Sequence, residues 1–171
     1  MLCAHLRSRL RTTTTSARGF TLLELMVVIA LMGILLAIGA GTFRTWSSAQ
    51  AQAGTASDIE GVLRQTQQRA VTEGSSMCVQ FNVDDDTWVQ YRGRCDNPDR
   101  QQIRGIWETQ DNNVHLVDAE FLDHDGSYVD GVSFSPRGTA TPGQIVISRD
   151  GNPKLRTVTV EGLTGRVTED D

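Results

Sequence analysis

Glu24 is the residue whose placement most needs a chemical reason. It opens a run of about 20 uncharged, mostly apolar residues that ends at Arg44. On insertion scales a carboxylate inside such a run costs on the order of 2.5–3.5 kcal/mol at the bilayer centre, and less near the interface. The other residues able to do chemistry are Cys3, Cys78 and Cys95, with His5, His115 and His124. They form no catalytic constellation: no serine has a nucleophile-elbow context, no glycine-rich phosphate loop occurs, and no His/Cys spacing suits a metal. Asp123-His124-Asp125-Gly126-Ser127 begins like a calcium loop. Counted from Asp123, however, Tyr128 stands where glycine is needed and Phe134 where a bidentate Glu is needed. Asp84-Asp85-Asp86 lacks the glycine too. Both read as solvated acidic turns. The expectation is a protein that is not an enzyme and takes no metal or cofactor.

These residues sit in regions of different character. The chain has 171 residues, 39% hydrophobic, with 16 basic and 21 acidic side chains and a mean hydropathy of −0.28. That composition excludes collagen-like, mucin-like, wholly disordered and polytopic membrane classes. Its charge is uneven: residues 1–19 hold Arg7, Arg9, Arg11 and Arg18 and no acid, while the remainder is strongly acidic. As a helix the uncharged run spans about 29 Å, close to the ~30 Å hydrocarbon thickness of a bilayer. Arginines ahead of it orient the N-terminus to the cytoplasm. A secretory signal peptide cut after Ala37-Ile38-Gly39 and a plain signal anchor both fit this pattern. Neither gives Glu24 a purpose.

From Thr42 to about Glu73 there is no proline, and Trp46, Ala49, Ala53, Ala56, Ile59, Leu63, Thr66 and Ala70 recur at steps of three or four. That spacing predicts an amphipathic helix with Asp58, Glu60, Arg64, Gln67 and Gln68 on its exposed face, ended by Gly74-Ser75-Ser76. The small residues from Ala49 to Ala56 suit packing against other helices. Beyond Ser76 the period becomes two: Val79, Phe81 and Val83, then a turn at Asp84–Asp86, then Val89 and Tyr91. Further strands are expected at Ile103–Glu108, Val114–Phe121, Val132–Ser135, Gln144–Ser148, Leu155–Glu161 and Gly165–Thr168, with Asp150-Gly151-Asn152 as a turn. The fold class is α+β, a long N-terminal helix on a small antiparallel β-sandwich or bent sheet.

Arg18-Gly19-Phe20-Thr21-Leu22-Leu23-Glu24-Leu25-Met26-Val27-Val28-Ile29-Ala30 resembles the class III signal of type IV pilins and type II secretion pseudopilins. The resemblance implies that a prepilin peptidase cuts between Gly19 and Phe20 and methylates the new amine of Phe20. It also implies that Glu24 pairs with such an amine on a neighbouring subunit and sets axial register. Pairing offsets the cost of leaving either charge in lipid. Gly39 and Gly41 would weaken the helix or admit close helix packing.

A second set of motifs is similar to the GspH/FimT domain of minor pseudopilins and minor pilins: Val132-Ser133-Phe134-Ser135-Pro136-Arg137-Gly138, Gly143-Gln144-Ile145-Val146-Ile147, Val158-Thr159-Val160 and Gly165-Arg166-Val167. The implied organisation is a cleaved leader (1–19), a membrane-spanning half-helix (20–43), an amphipathic half-helix (44–74) and a β domain (75–171). The implied function is a structural subunit of a secretion pseudopilus, or alternatively of a type IV pilus. The expected partners are other pilins or pseudopilins, the prepilin peptidase and the inner-membrane assembly platform. A membrane-anchored periplasmic binding domain is the third reading. The expected location is a single pass through the cytoplasmic membrane with the C-terminal domain outside. Cys3 would leave with the leader, and an oxidising compartment would favour a Cys78–Cys95 disulfide. Strand alternation puts Cys78 on the polar face and Cys95 in phase with Val89 and Tyr91, so a break near Gly93 is needed. Some FimT-like proteins bind DNA through a C-terminal Gly-Arg-x-Arg. Here Gly165-Arg166-Val167-Thr168 lacks the second arginine and Glu169-Asp170-Asp171 follow. Arg92, Arg94, Arg100 and Arg104 are interleaved with Asp96, Asp99 and Glu108, a mixed-charge face that weighs against nucleic acid.

Overall fold

Thr21 starts the helix: its hydroxyl accepts the Glu24 N–H at 3.2 Å and its carbonyl accepts the Leu25 N–H at 3.1 Å, as an N-cap does. Helix α1 runs Leu22–Glu73. It ends where Gly74 adopts φ +60° and the Ser75 N–H returns to the Ala70 carbonyl at 3.2 Å, a Schellman closure. The computed structural model describes residues 20–170, the side chains of 39–45 excepted. The basic leader, with Gly19 and Cys3, lies outside the described residues. The chain divides into two units, Met1–Gly41 and Thr42–Asp171.

In the first unit every described side chain from Phe20 to Ile38 is exposed, and all but Thr21, Glu24 and Gly33 are apolar. A helix apolar on all sides needs a non-aqueous surrounding or other helices. Among the described residues no helix is long and apolar enough to cross a membrane; in the sequence the uncharged run continues through Phe43.

In the second unit α1 turns Gln52, Thr55, Ala56, Ile59, Leu63, Thr66 and Ala70 inward. Trp46, expected on this face, is instead 60% exposed. The small-residue stripe is also not wholly reserved for other helices. Ala56 is in the core, and a Cβ on Gly54 would meet Gln110 Oε1 at 2.4 Å. Gln52 Nε2 donates to the Ile147 and Lys154 carbonyls at 3.0 and 3.1 Å.

Ten strands follow: β1 Met77–Asn82, β2 Thr87–Arg92, β3 Gln101–Gln102, β4 Trp107–Glu108, β5 Val114–Leu122, β6 Tyr128–Val129, β7 Gly131–Phe134, β8 Gly143–Arg149, β9 Asn152–Val160 and β10 Val167–Asp170. They form two antiparallel sheets, one ordered β3-β2-β1-β7 with β4 also on β2, the other β10-β9-β8-β5-β6. Asp130 alone separates β6 from β7, so the chain changes sheets there. Phe81 and Phe121 stack across the two sheets with centroids 6.0 Å apart. Trp88, Phe134, Ile145, Ile147 and Val158 complete a shared core with Ile59 and Leu63 of the helix. Each such side chain stabilises the fold by roughly 1.5–3 kcal/mol.

Two strand expectations need correction. The segment Ile103–Glu108 is not one strand: β3 ends at Gln102 and pairing resumes only at Trp107, the Ile103 N–H reaching the Gln90 carbonyl at 2.9 Å. The last strand starts at Val167 because Gly165, at φ +62°, belongs to the turn before it. The phase of β2 also differs from the hydropathy reading. Trp88 and Gln90 are buried, while Val89 and Tyr91 lie on the opposite face. Burial of Gln90 is tolerated because its amide donates to Thr66 Oγ1 at 2.8 Å, a satisfied polar contact.

Candidate assembly site

The first turn of α1 carries the residues expected to act in assembly. Phe20 is 77% exposed just ahead of the N-cap, and Glu24 occupies the third helical position, where a negative charge complements the helix dipole. The spacing Thr21-x-x-Glu24 is that of a capping box, a signal the sequence itself carries. Among the described residues the Glu24 carboxylate has no hydrogen-bond or ion-pair partner, and its side chain is exposed. An acid with no partner among the described residues thus stands one turn from the start of an apolar helical segment. Such an acid can accept a cation supplied from outside the chain.

The structure brings Cys78 and Cys95 together in a disulfide with Cα atoms 5.1 Å apart. The alternation difficulty disappears with the phase of β2. Cys78 pairs with Tyr91 and Gln80 with Val89, so these four share the face turned away from the helix. Gly93, at φ +113°, turns the chain after β2 and lays Cys95 back across that face. The Cys95 N–H donates to Ser133 Oγ at 3.0 Å, and the Arg100 guanidinium lies 4.6 Å from the Tyr91 ring centroid. A Cβ on Gly131 would fall 2.9 Å from Cys95 Sγ. Glycine is therefore required where the staple crosses β7.

Neither acidic turn is merely solvated, which corrects the sequence expectation. Asp86, the described non-glycine residue with positive φ (54°), accepts the Leu116 N–H and meets His115 Nδ1, both at 2.7 Å. His115 Nε2 also faces Asp150 at 3.7 Å. The hydrogen bond to Asp86 holds the His115 pKa above its ordinary value, with Asp150 contributing. At the other turn, Arg94 donates to Asp96 at 3.0 Å and to Asp123 at 3.2 Å. Asp96, Asp123 and His124 bring possible ligand atoms within 4.8 Å of one another, yet the Arg94 guanidinium already supplies the positive charge to both carboxylates. Its hydrogen bond keeps Asp96 below the usual carboxylate range.

Gln67, expected to face solvent, instead ties two turns to the helix. Its amide donates to the carbonyls of Gly138 and Thr164 at 2.8 and 2.9 Å. A Cβ on Gly165 would lie 2.3 Å from both Gln67 Nε2 and the Gly138 carbonyl. The C-terminal glycine motifs are thus a locked junction between helix and sheets.

Two stretches of the chain match known protein families. The family model for the type II transport protein GspH matches residues 55–164. The chain belongs to the GspH family. A second model, the prokaryotic N-terminal methylation motif, matches residues 14–40. No curated protein matches the GspH-family chain in sequence. Among solved structures, the minor pseudopilin EpsH from the type 2 secretion system of Vibrio cholerae is similar with a TM-score of 0.54 and 13% identity, over 70% of this chain and 94% of that one. The type IV minor pilin FimU of Pseudomonas aeruginosa is similar with a TM-score of 0.57 and 13% identity, over 74% and 92%. At such identity the likeness is one of fold, and it is the pilin-like fold expected from the leader and the strand pattern. GspH membership makes the chain a pilin-like, membrane-anchored filament subunit that assembles with other pilins or pseudopilins.

Proposed function

We propose that this GspH-family chain is a minor pseudopilin of a type II secretion system, without catalytic activity, serving filament initiation or the filament tip. In this reading a prepilin peptidase removes residues 1–19 and methylates Phe20. The helix from Phe20 to about Phe43 sits in the inner membrane until an assembly platform extracts it, and the β domain lies on the periplasmic side. The observation that carries the reading is the exposed Glu24 carboxylate, which has no partner among the described residues and stands one turn into an otherwise apolar segment of the helix. A neighbour's Phe20 amine, charged near neutral pH, is the cation it fits. The fold match to FimU supports a second reading, a minor pilin of a type IV pilus.

Glu24→Val tests the proposal. The substitution eases membrane insertion and removes the amine's partner, so the protein should be cleaved and retained in the membrane but cross-link poorly to partner pilins. Parental cross-linking, or failed insertion, overturns the assembly role. Deleting the gene separates the two systems: loss of exported proteins from the medium with pili intact supports secretion, and the reverse supports the pilus.

A further inference from the structure

Tyr128 is 70% exposed, and its backbone is paired to the edge of a sheet. It lies in β6, where Leu122 pairs with Tyr128 and the fully buried Phe121 with Val129. The ring lines two grooves. One, of about 430 Å³, is lined also by Leu122, Pro142, Val160 and Glu120. The other, of about 360 Å³, is lined also by Cys95 of the disulfide, Asp96 and Asp130. Among the described residues no basic side chain lines either groove. Asp96 is held by Arg94; the carboxylates of Glu120 and Asp130 have no partner among the described residues.

An exposed tyrosine, with only two side-chain torsions to fix, offers large contact area at little entropic cost, the usual make-up of an interface anchor. Its ring face attracts cations, and carboxylates beside apolar walls reinforce that preference. We propose that the two grooves dock a lysine- or arginine-bearing segment of a neighbouring protein subunit. The segment's cations lie between the Tyr128 ring and the Glu120 and Asp130 carboxylates, with its apolar side chains on Leu122 and Pro142. An acidic segment is repelled at the same place. The inference goes beyond the proposed function and stands apart from processing, membrane insertion and Glu24, so either can fail without the other.

The test uses the full chain in uncharged detergent micelles and a fluorescein-labelled Lys-Gly-Lys-Leu-Lys peptide, with its glutamate counterpart as control. Anisotropy should show saturable binding of the lysine peptide that weakens with added salt, and none of the glutamate peptide. Tyr128→Ser should weaken binding roughly tenfold, about 1.4 kcal/mol, while Tyr128→Phe stays near parental. Glu120→Gln with Asp130→Asn should weaken binding and flatten its salt dependence. These side chains lie outside the core, and unchanged unfolding temperatures verify that the variants fold. No saturable binding of the lysine peptide up to about 1 mM, equal binding by the glutamate peptide, or parental affinity in Tyr128→Ser overturns the proposal.

Discussion

The His115 ring and the Asp86 carboxylate meet at 2.7 Å, and this contact pins the β1–β2 hairpin to β5. The other Asp86 oxygen accepts the Leu116 N–H, so the acid serves both the ring and the backbone of one strand. Asp150 is the second charged group facing the ring.

A pH dependence follows from that geometry. The folded-state pKa of His115 is raised, chiefly by Asp86, so the contribution is complete below the unfolded value near 6.5. It is lost as pH rises through the raised folded value. With the ring 40% exposed, solvent keeps the effect small. Urea unfolding at a series of pH values from about 6 upward should show a decline in the parent that is flatter in His115→Gln. Identical slopes would remove His115 from the account.

Asp86 itself should matter more than its titrating partner. Asp86→Ala strands the Leu116 N–H and places a residue poorly suited to positive φ at 54°, for a loss of about 1–3 kcal/mol. Asp86→Asn tolerates that backbone and keeps an acceptor, so it should lose clearly less. Equal losses in the two variants, measured by chemical denaturation, would contradict this.

Cys78 and Cys95 close a loop across the outer face of β1. Reductant, or Cys78→Ser with Cys95→Ser, should cost about 2–4 kcal/mol of stability. Gly131→Ala should also destabilise, since its Cβ would press on Cys95 Sγ and on the Val79 carbonyl. Mass mapping without reductant checks the pairing, and thermal unfolding checks the cost. Freely alkylatable thiols in folded protein would end the idea.

The junction at Gln67 makes a sharper claim. Gln67→Ala leaves the Gly138 and Thr164 carbonyls without their amide donor and, with water able to reach the exposed end, should cost about 0.5–1.5 kcal/mol. Gly165→Ala adds a Cβ where two contacts already stand at 2.3 Å, at φ +62°, and should cost more. Hydrogen exchange should show β10 loosening first in both variants. Parental protection in Gly165→Ala would refute the close-approach argument.

Processing is tested at the leader. Intact-mass analysis of membrane protein should give a chain beginning at methylated Phe20, and a bulky residue in place of Gly19 should block the cut. A start at Ala40, or an uncut Met1 in cells with active peptidase, would contradict the pilin-type reading.

The leader motif, the helix and most strands were legible in the sequence because each rests on local patterning. Arg18 to Ala30 are contiguous, the helical face repeats every three or four residues, and Asp150-Gly151 is a turn by its own backbone preferences. That the helix and strands make a pilin-like fold was implied by the resemblance the leader and C-terminal motifs carry, not by periodicity. What tertiary structure alone decided is which face of each element is inside. Alternation puts Val89 and Tyr91 on the apolar face of their strand, yet Trp88 and Gln90 are the buried pair, because Thr66 on the helix satisfies the Gln90 amide and the Cys95 loop covers the opposite face. The roles of Gln67 and Asp86 were likewise invisible, since their partners lie 71 and 30 residues away. Polarity along a chain tells whether a side chain needs a partner; only the fold determines whether water or a distant backbone supplies it.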